Sequence, residues 1–186
     1  MESAALQTMR QHADKYFTPT DEVLDIGCGP GDITFEIARR AKMVYATDIS
    51  GGMITSAEQK AAERKINNTT FIRTDLRDDN FQAGSFDAIT AFNMLQYVSD
   101  RQHLYEKIYE YLRPNGLFLS ATACLRERRT GLRFIMGAMS LFRIGPVILF
   151  YTKSELENDI REAGFTIIEA TDITQLPERF IVARKE

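Results

Sequence analysis

Apolar positions along this chain follow two alternating rhythms. Short, nearly continuous apolar runs are separated by longer stretches whose apolar residues recur at helical spacing. Val23-Leu24-Asp25-Ile26 reads as a strand, followed by a glycine-rich turn and a helix from about Ile33 to Ala41. Val44 to Thr47 is the next strand, and Ser50 caps a helix from about Gly51 to Lys65. Thr70 to Thr74 and Ala88 to Phe92 are strands three and four, with a turn at Gly84 between them. Ser99 and Gln102 have the spacing of a capping box, and the helix behind them puts Leu104, Ile108, Tyr111 and Leu112 on one face. Arg113-Pro114-Asn115-Gly116 turns the chain into a fifth strand, Leu117 to Ala121. Thr152 and Glu155 form a second capping box, and their helix ends near Ala163 and Gly164. Phe165 to Ala170 and Arg179 to Ala183 are the last strands.

Strand–helix alternation with buried apolar strands predicts an α/β fold, a mostly parallel seven-stranded sheet with helices on both faces. The link from Thr171 to Glu178 is too short and polar for a helical crossover, so one strand near the end runs antiparallel. At 186 residues the chain is read as one domain, with residues 1–20 as an N-terminal cap and 125–151 as an insert. The insert opens Arg126-Glu127-Arg128-Arg129 and continues with Phe134, Ile135, Met136, Met139, Leu141 and Phe142. It reads equally as a lid over a site, with weak contact to a membrane surface, or as a helix buried on the sheet.

Charge and cysteine usage narrow the partners. A formal net charge of −3 lacks the broad positive field of a nucleic-acid binder, so none is expected as partner. Cys28 and Cys124 stand far apart and suggest no disulfide framework; with no secretory signal or uninterrupted apolar span, a cytoplasmic location is expected. No histidine, cysteine or carboxylate group has metal-ligand spacing, and no metal is expected. Monomer and homodimer both remain open.

The chemistry concentrates in Asp25-Ile26-Gly27-Cys28-Gly29-Pro30-Gly31-Asp32, between the first strand and first helix. In open α/β sheets ligands bind at the carboxyl ends of the strands, and glycines there let backbone approach a ligand closely. The dinucleotide pattern G-x-G-x-x-G is not met, because Gly31 comes one residue early and Asp32 follows. A carboxylate there repels a pyrophosphate but not a sulfonium. The loop therefore fits S-adenosylmethionine (SAM) better than a nicotinamide dinucleotide.

VLDIGCGPGD resembles motif I of the class I SAM-dependent methyltransferases. ATDIS, IRTDLRD and FDAITAFNMLQYV resemble the family's second, third and fourth motifs, and YLRPNGLFLSAT its next helix–turn–strand. The nearest group is that of small-molecule enzymes similar to those of ubiquinone and menaquinone biosynthesis. The resemblance implies a Rossmann-like fold and methyl transfer from SAM, releasing S-adenosylhomocysteine (SAH), to a small hydrophobic acceptor.

By that resemblance, Gly27, Gly29 and Gly31 pass close to the methionine part of SAM, with Asp25 helping to hold its amino group. Asp48 accepts from the ribose hydroxyls, Met53 packs near the adenosine, and Asp75 and the Leu76 amide meet the adenine. Asn93 faces the sulfonium end; Cys28 and Ile49 lie in the same turns and complete the set. Asp87 is assigned a structural role at the start of its strand. Tyr16, Phe17, Tyr97 and Phe134 are candidate acceptor contacts. No catalytic residue is assigned: His12 and His103 have no carboxylate partner visible in the sequence. Asn93-Met94-Leu95-Gln96-Tyr97 lacks the prolines found in enzymes that methylate nucleobase amines. Two other functions fit the same pattern less well, a non-catalytic SAM-binding module working through a protein partner and an NAD-dependent oxidoreductase.

Overall fold

The structure, a computed structural model, describes residues 3–75, 81–124, 149, 151–173 and 178–186. The strands are β1 (Glu22–Ile26), β2 (Met43–Asp48), β3 (Thr69–Arg73), β4 (Phe86–Phe92), β5 (Leu112–Ala123), β6 (Phe165–Asp172) and β7 (Glu178–Lys185). The helices are α1 (Ala4–Tyr16), α2 (Asp32–Ala38), α3 (Gly51–Glu63), α4 (Arg101–Tyr111) and α5 (Lys153–Glu162).

The seven strands form one sheet in the order β3-β2-β1-β4-β5-β7-β6. The first five are parallel neighbours, and β7 alone is reversed, wedged between β5 and β6. The expectation of a mostly parallel sheet with one antiparallel strand holds. Central strands are apolar on both faces because both are covered. In β4, Ala88 and Phe92 face one core while Ile89 and Ala91 face the other. On the first face, Ala5, Met9 and Ala13 of α1 and Ile37 and Ala38 of α2 pack on Val23, Val44 and Val182. On the second, Leu104, Tyr105 and Ile108 of α4 and Leu156 and Ile160 of α5 pack on Leu24, Phe118 and Ile181.

Two local expectations change. Helix α4 is capped by Asp100, not Ser99: the Asp100 carboxylate accepts from the His103 N–H at 3.2 Å. Gln102 bonds Glu106 within the helix at 3.0 Å. A carboxylate one residue later competes better for the amide than the hydroxyl does. The expected turn at 113–116 lies inside β5. Pairing slips between Phe86↔Leu112 and Ala88↔Leu117, so these residues bulge from the ladder, with Asn115 at φ 65°. The Thr152 capping box forms as expected, with Glu155 N–H to Thr152 Oγ1 at 3.1 Å and Thr152 N–H to Glu155 at 2.8 Å.

Asp87 sits where β4 begins, at the edge opposite the glycine loop. It accepts from the Glu22 N–H at 2.8 Å and from the Arg113 guanidinium, which ties β1, β4 and β5 together. Cys28 and Cys124 are both buried. Among the described residues no helix is long and apolar enough to cross a membrane.

Candidate active site

The carboxyl ends of β1, β2 and β4 bring the sequence candidates to one edge of the sheet. The glycine loop is pinned to β2 from two sides. The N–H groups of Gly27 and Cys28 both donate to the Thr47 carbonyl, at 2.7 and 2.9 Å. The Gly29 N–H donates to Asp48 Oδ2 at 3.0 Å, while Asp48 Oδ1 takes the Ser50 N–H at 2.8 Å. Asp48 is thus a brace for the loop as well as a strand-end carboxylate. Arg73 donates to the Ile49 carbonyl at 3.2 Å and holds the next turn. Ile49 and Met53 lie beside Asp48 with 68% and 44% of their surface exposed.

The glycines have different surroundings. A Cβ on Gly27 would lie 2.7 Å from Met94 Cβ, and one on Gly31 would lie 2.8 Å from the Phe35 ring. Among the described residues, a Cβ on Gly29 would meet nothing within 4 Å. Backbone approach there is open, which fits a ligand seated against the loop.

Asp25 is 2% exposed, beneath the loop. Thr34 and Thr90 hydroxyls donate to its two oxygens at 2.6 and 2.7 Å. Burial pushes its carboxyl up to about 6, against the partly offsetting hydroxyl donors. Sequence reasoning placed Asp25 beside the cofactor amino group; the structure places it in the floor, joining β1, β4 and α2. Because the folded pKa is raised, the folded chain holds this proton more tightly than the unfolded one. The resulting stability is present below about pH 4 and is lost as pH rises through about 6, an effect of about 3 kcal/mol. Asp25→Asn removes this titration. Its stability relative to the wild type is expected to improve between pH 4.5 and pH 7, as read from urea denaturation midpoints; a constant difference would refute burial as the cause.

Burial, reinforced by the charges of Asp25 and Asp48, pushes the Cys28 thiol well up, so it stays protonated and is no nucleophile at neutral pH. Asp32 opens α2, where Lys60 at 3.2 Å and Arg64 at 3.7 Å offset its charge. Its power to repel a phosphate is weakened accordingly, by Lys60 of α3 and by Arg64 just past that helix.

Farther along the edge, Asn93 follows β4 in the left-handed region at φ 52°, and its N–H donates to the Ala121 carbonyl at 2.8 Å. Tyr97 is 50% exposed nearby in a 3-10 turn, Leu95–Tyr97. Asp75 is exposed just past β3. Leu76, Phe134 and the insert apart from Leu149 and Tyr151 lie outside the described residues.

Tyr16 and Phe17 lie at the C-terminal end of α1. Both rings are packed in the core, and the Tyr16 hydroxyl donates to Glu169 of β6. His12 does have a carboxylate partner that the sequence hides: Glu169 of β6 lies 3.5 Å from Nε2. 

A family model described as a methyltransferase domain matches residues 23–116, just over half of the chain. This chain belongs to that methyltransferase family. The methyltransferase is 27% identical over 162 residues to the ubiquinone biosynthesis O-methyltransferase of Acinetobacter baumannii (strain AYE), covering 84% of this chain and 68% of that protein. Its fold matches geranyl diphosphate C-methyltransferase from Streptomyces coelicolor A3(2) with a TM-score of 0.81 at 17% identity, covering 100% of this chain and 79% of that one. It also matches the [4+2]-cyclase SpnF with a TM-score of 0.82 at 18% identity, covering 97% and 81%. At such identities the likeness concerns the fold, and a cyclase among the matches illustrates that fold does not fix reaction. The methyltransferase is SAM-dependent, so the nicotinamide reading of the loop and the non-catalytic reading are set aside.

Proposed function

We propose that the chain acts as one cofactor-binding unit that methylates a hydroxyl oxygen on a small, apolar organic acceptor. The observation that carries the acceptor class is the likeness, over 84% of this chain, to enzymes named for O-methylation in ubiquinone biosynthesis. The geometry is compatible with it: an exposed aromatic ring, Tyr97, lies beside Asn93 at the end of β4.

Bound SAM supplies an activated methyl group on a sulfonium leaving group. The chain's part is to seat it and to orient the acceptor. In this reading the open backbone at Gly29, with Gly27, Cys28 and Gly31, lies against the methionine portion. Asp25 fixes the loop from below, and Asp48 accepts ribose hydroxyls with the lone pairs its backbone donors leave free. Ile49 and Met53 sandwich the adenosine, with Asp75 and Leu76 at its rim. Asn93 faces the sulfonium end, and Tyr97 and Phe134 contact the acceptor. Residues 1–20 act as the cap.

Calorimetric titration with SAH, with NAD in parallel, tests the cofactor half. Affinity on the order of micromolar for SAH and none for NAD is expected. An acceptor screen of catechols with apolar tails tests the other half, read as SAH release. Turnover on amines alone, with none on phenols, would refute the oxygen acceptor.

A further inference from the structure

We propose that Glu178, the first residue of β7, is the general base that takes the proton from the acceptor hydroxyl. The proposal rests on the oxygen-acceptor reading above. Reversal of β7 between β5 and β6 places Glu178 opposite Ala123, at the carboxyl edge. The sequence alone puts it in a polar link, so it drew no attention there. Its backbone is fixed, because its carbonyl accepts the Ile173 N–H at 3.1 Å. On β7 it shares a face with Phe180, two residues on, whose ring lies 6.3 Å from that of Phe92. Phe92 leads directly into Asn93.

The Asn93 side chain lies near the Glu178 carboxylate and favours its charged form. Glu178 Oε1 is shielded from solvent and, among the described residues, has no hydrogen-bond partner. A buried acceptor atom left without a donor is costly, and such atoms in native proteins call for an explanation. A ligand that brings an O–H to this point satisfies it. Partial burial, only partly offset by Asn93, raises the Glu178 pKa from its ordinary value and makes the carboxylate a stronger base. His12 cannot take this role from its position. Its Nδ1 is 2.9 Å from the Thr8 carbonyl, its Nε2 faces Glu169, and its ring packs on Phe180 at 5.2 Å.

In the step itself, the acceptor O–H bond breaks and its proton passes to Oε1. The oxygen electron pair forms the new O–CH3 bond while the S–CH3 bonding pair stays on sulfur, giving SAH. Glu178 then returns the proton to solvent.

The test compares Glu178→Gln with the wild type on two probes, catechol and 4-nitrocatechol, alongside calorimetric SAH affinity. The nitro group makes a hydroxyl ionise near neutrality without help, whereas catechol stays protonated. SAH affinity and KM are expected to hold. Turnover number kcat is expected to fall by about 10²–10⁴-fold on catechol and by less than about tenfold on 4-nitrocatechol. Glu178→Asp, which keeps the carboxylate but withdraws it, is expected to show the same contrast in smaller measure and serves if the glutamine variant does not fold. Equal losses on both probes, or none, overturn the proposal while leaving the acceptor reading intact. A wild type that methylates neither these probes nor tailed catechols overturns the acceptor reading and this proposal with it.

Discussion

Asp48→Ala is expected to weaken SAH binding by about 10²–10⁴-fold while leaving the protein folded. The carboxylate holds the Gly29 and Ser50 N–H groups, one on each oxygen, at 3.0 and 2.8 Å. In the proposed complex its remaining lone pairs accept the two ribose hydroxyls. A hydrogen bond to a charged group is worth about 1.5–3 kcal/mol, so losing two of them removes about 3–6 kcal/mol. Every 1.4 kcal/mol is about tenfold, which gives the range stated. The cost to the ligand-free fold is smaller, about 1–2 kcal/mol, because the freed amides lie near the surface and can turn to water. Asp48→Asn keeps one acceptor oxygen and loses the charge, so it should fall between. Calorimetry with SAH and a thermal melt of the free protein separate the two effects. An alanine variant that binds SAH within about tenfold of the wild type would remove Asp48 from the cofactor site.

Much of this arrangement is written locally. Buried runs such as Ala88 to Phe92 identify their strands without reference to anything distant, and Thr152 with Glu155 announces a helix start that the structure confirms. The reversed strand was legible because a short polar link leaves the chain no room for a crossover. What the sequence hides is whatever depends on pairing between remote segments. The threonines that bind Asp25 come from α2 and β4, nine and sixty-five residues away. The cations that offset Asp32 are Lys60 of α3 and Arg64 just past that helix. Glu169 reaches His12, Lys15 and Tyr16 of α1 only because β6 forms the edge of the sheet over which that helix lies. Lys15 is about 2.5 Å from its carboxylate, and the donors of Lys15 and Tyr16 outweigh partial burial and hold the Glu169 pKa down.

The glycine loop offers the sharper division between fold and ligand, since two of its residues should fail in opposite ways. Both Gly27 and Gly29 sit in the left-handed region, at φ 70° and 55°, so alanine at either costs about 1–2 kcal/mol in backbone strain. At Gly27 the added methyl also meets Met94 Cβ at 2.7 Å. That atom is fixed to its own backbone and cannot swing aside, so overpacking adds about 1–3 kcal/mol. Gly27→Ala should therefore destabilise the free protein by about 2–5 kcal/mol, and Met94→Ala should not rescue it, because the clash is with Cβ. At Gly29 the methyl enters open space, so the free protein should lose only the strain. If that space is where SAM lies against the backbone, the same methyl occupies the ligand's place. SAH affinity should then drop by about 10–100-fold on a nearly intact fold. Denaturant midpoints and calorimetry on the two variants give the answer directly. Should Gly29→Ala bind SAH as the wild type does, the open side of the loop faces solvent rather than the cofactor, and the seat of SAM must be sought elsewhere along the edge.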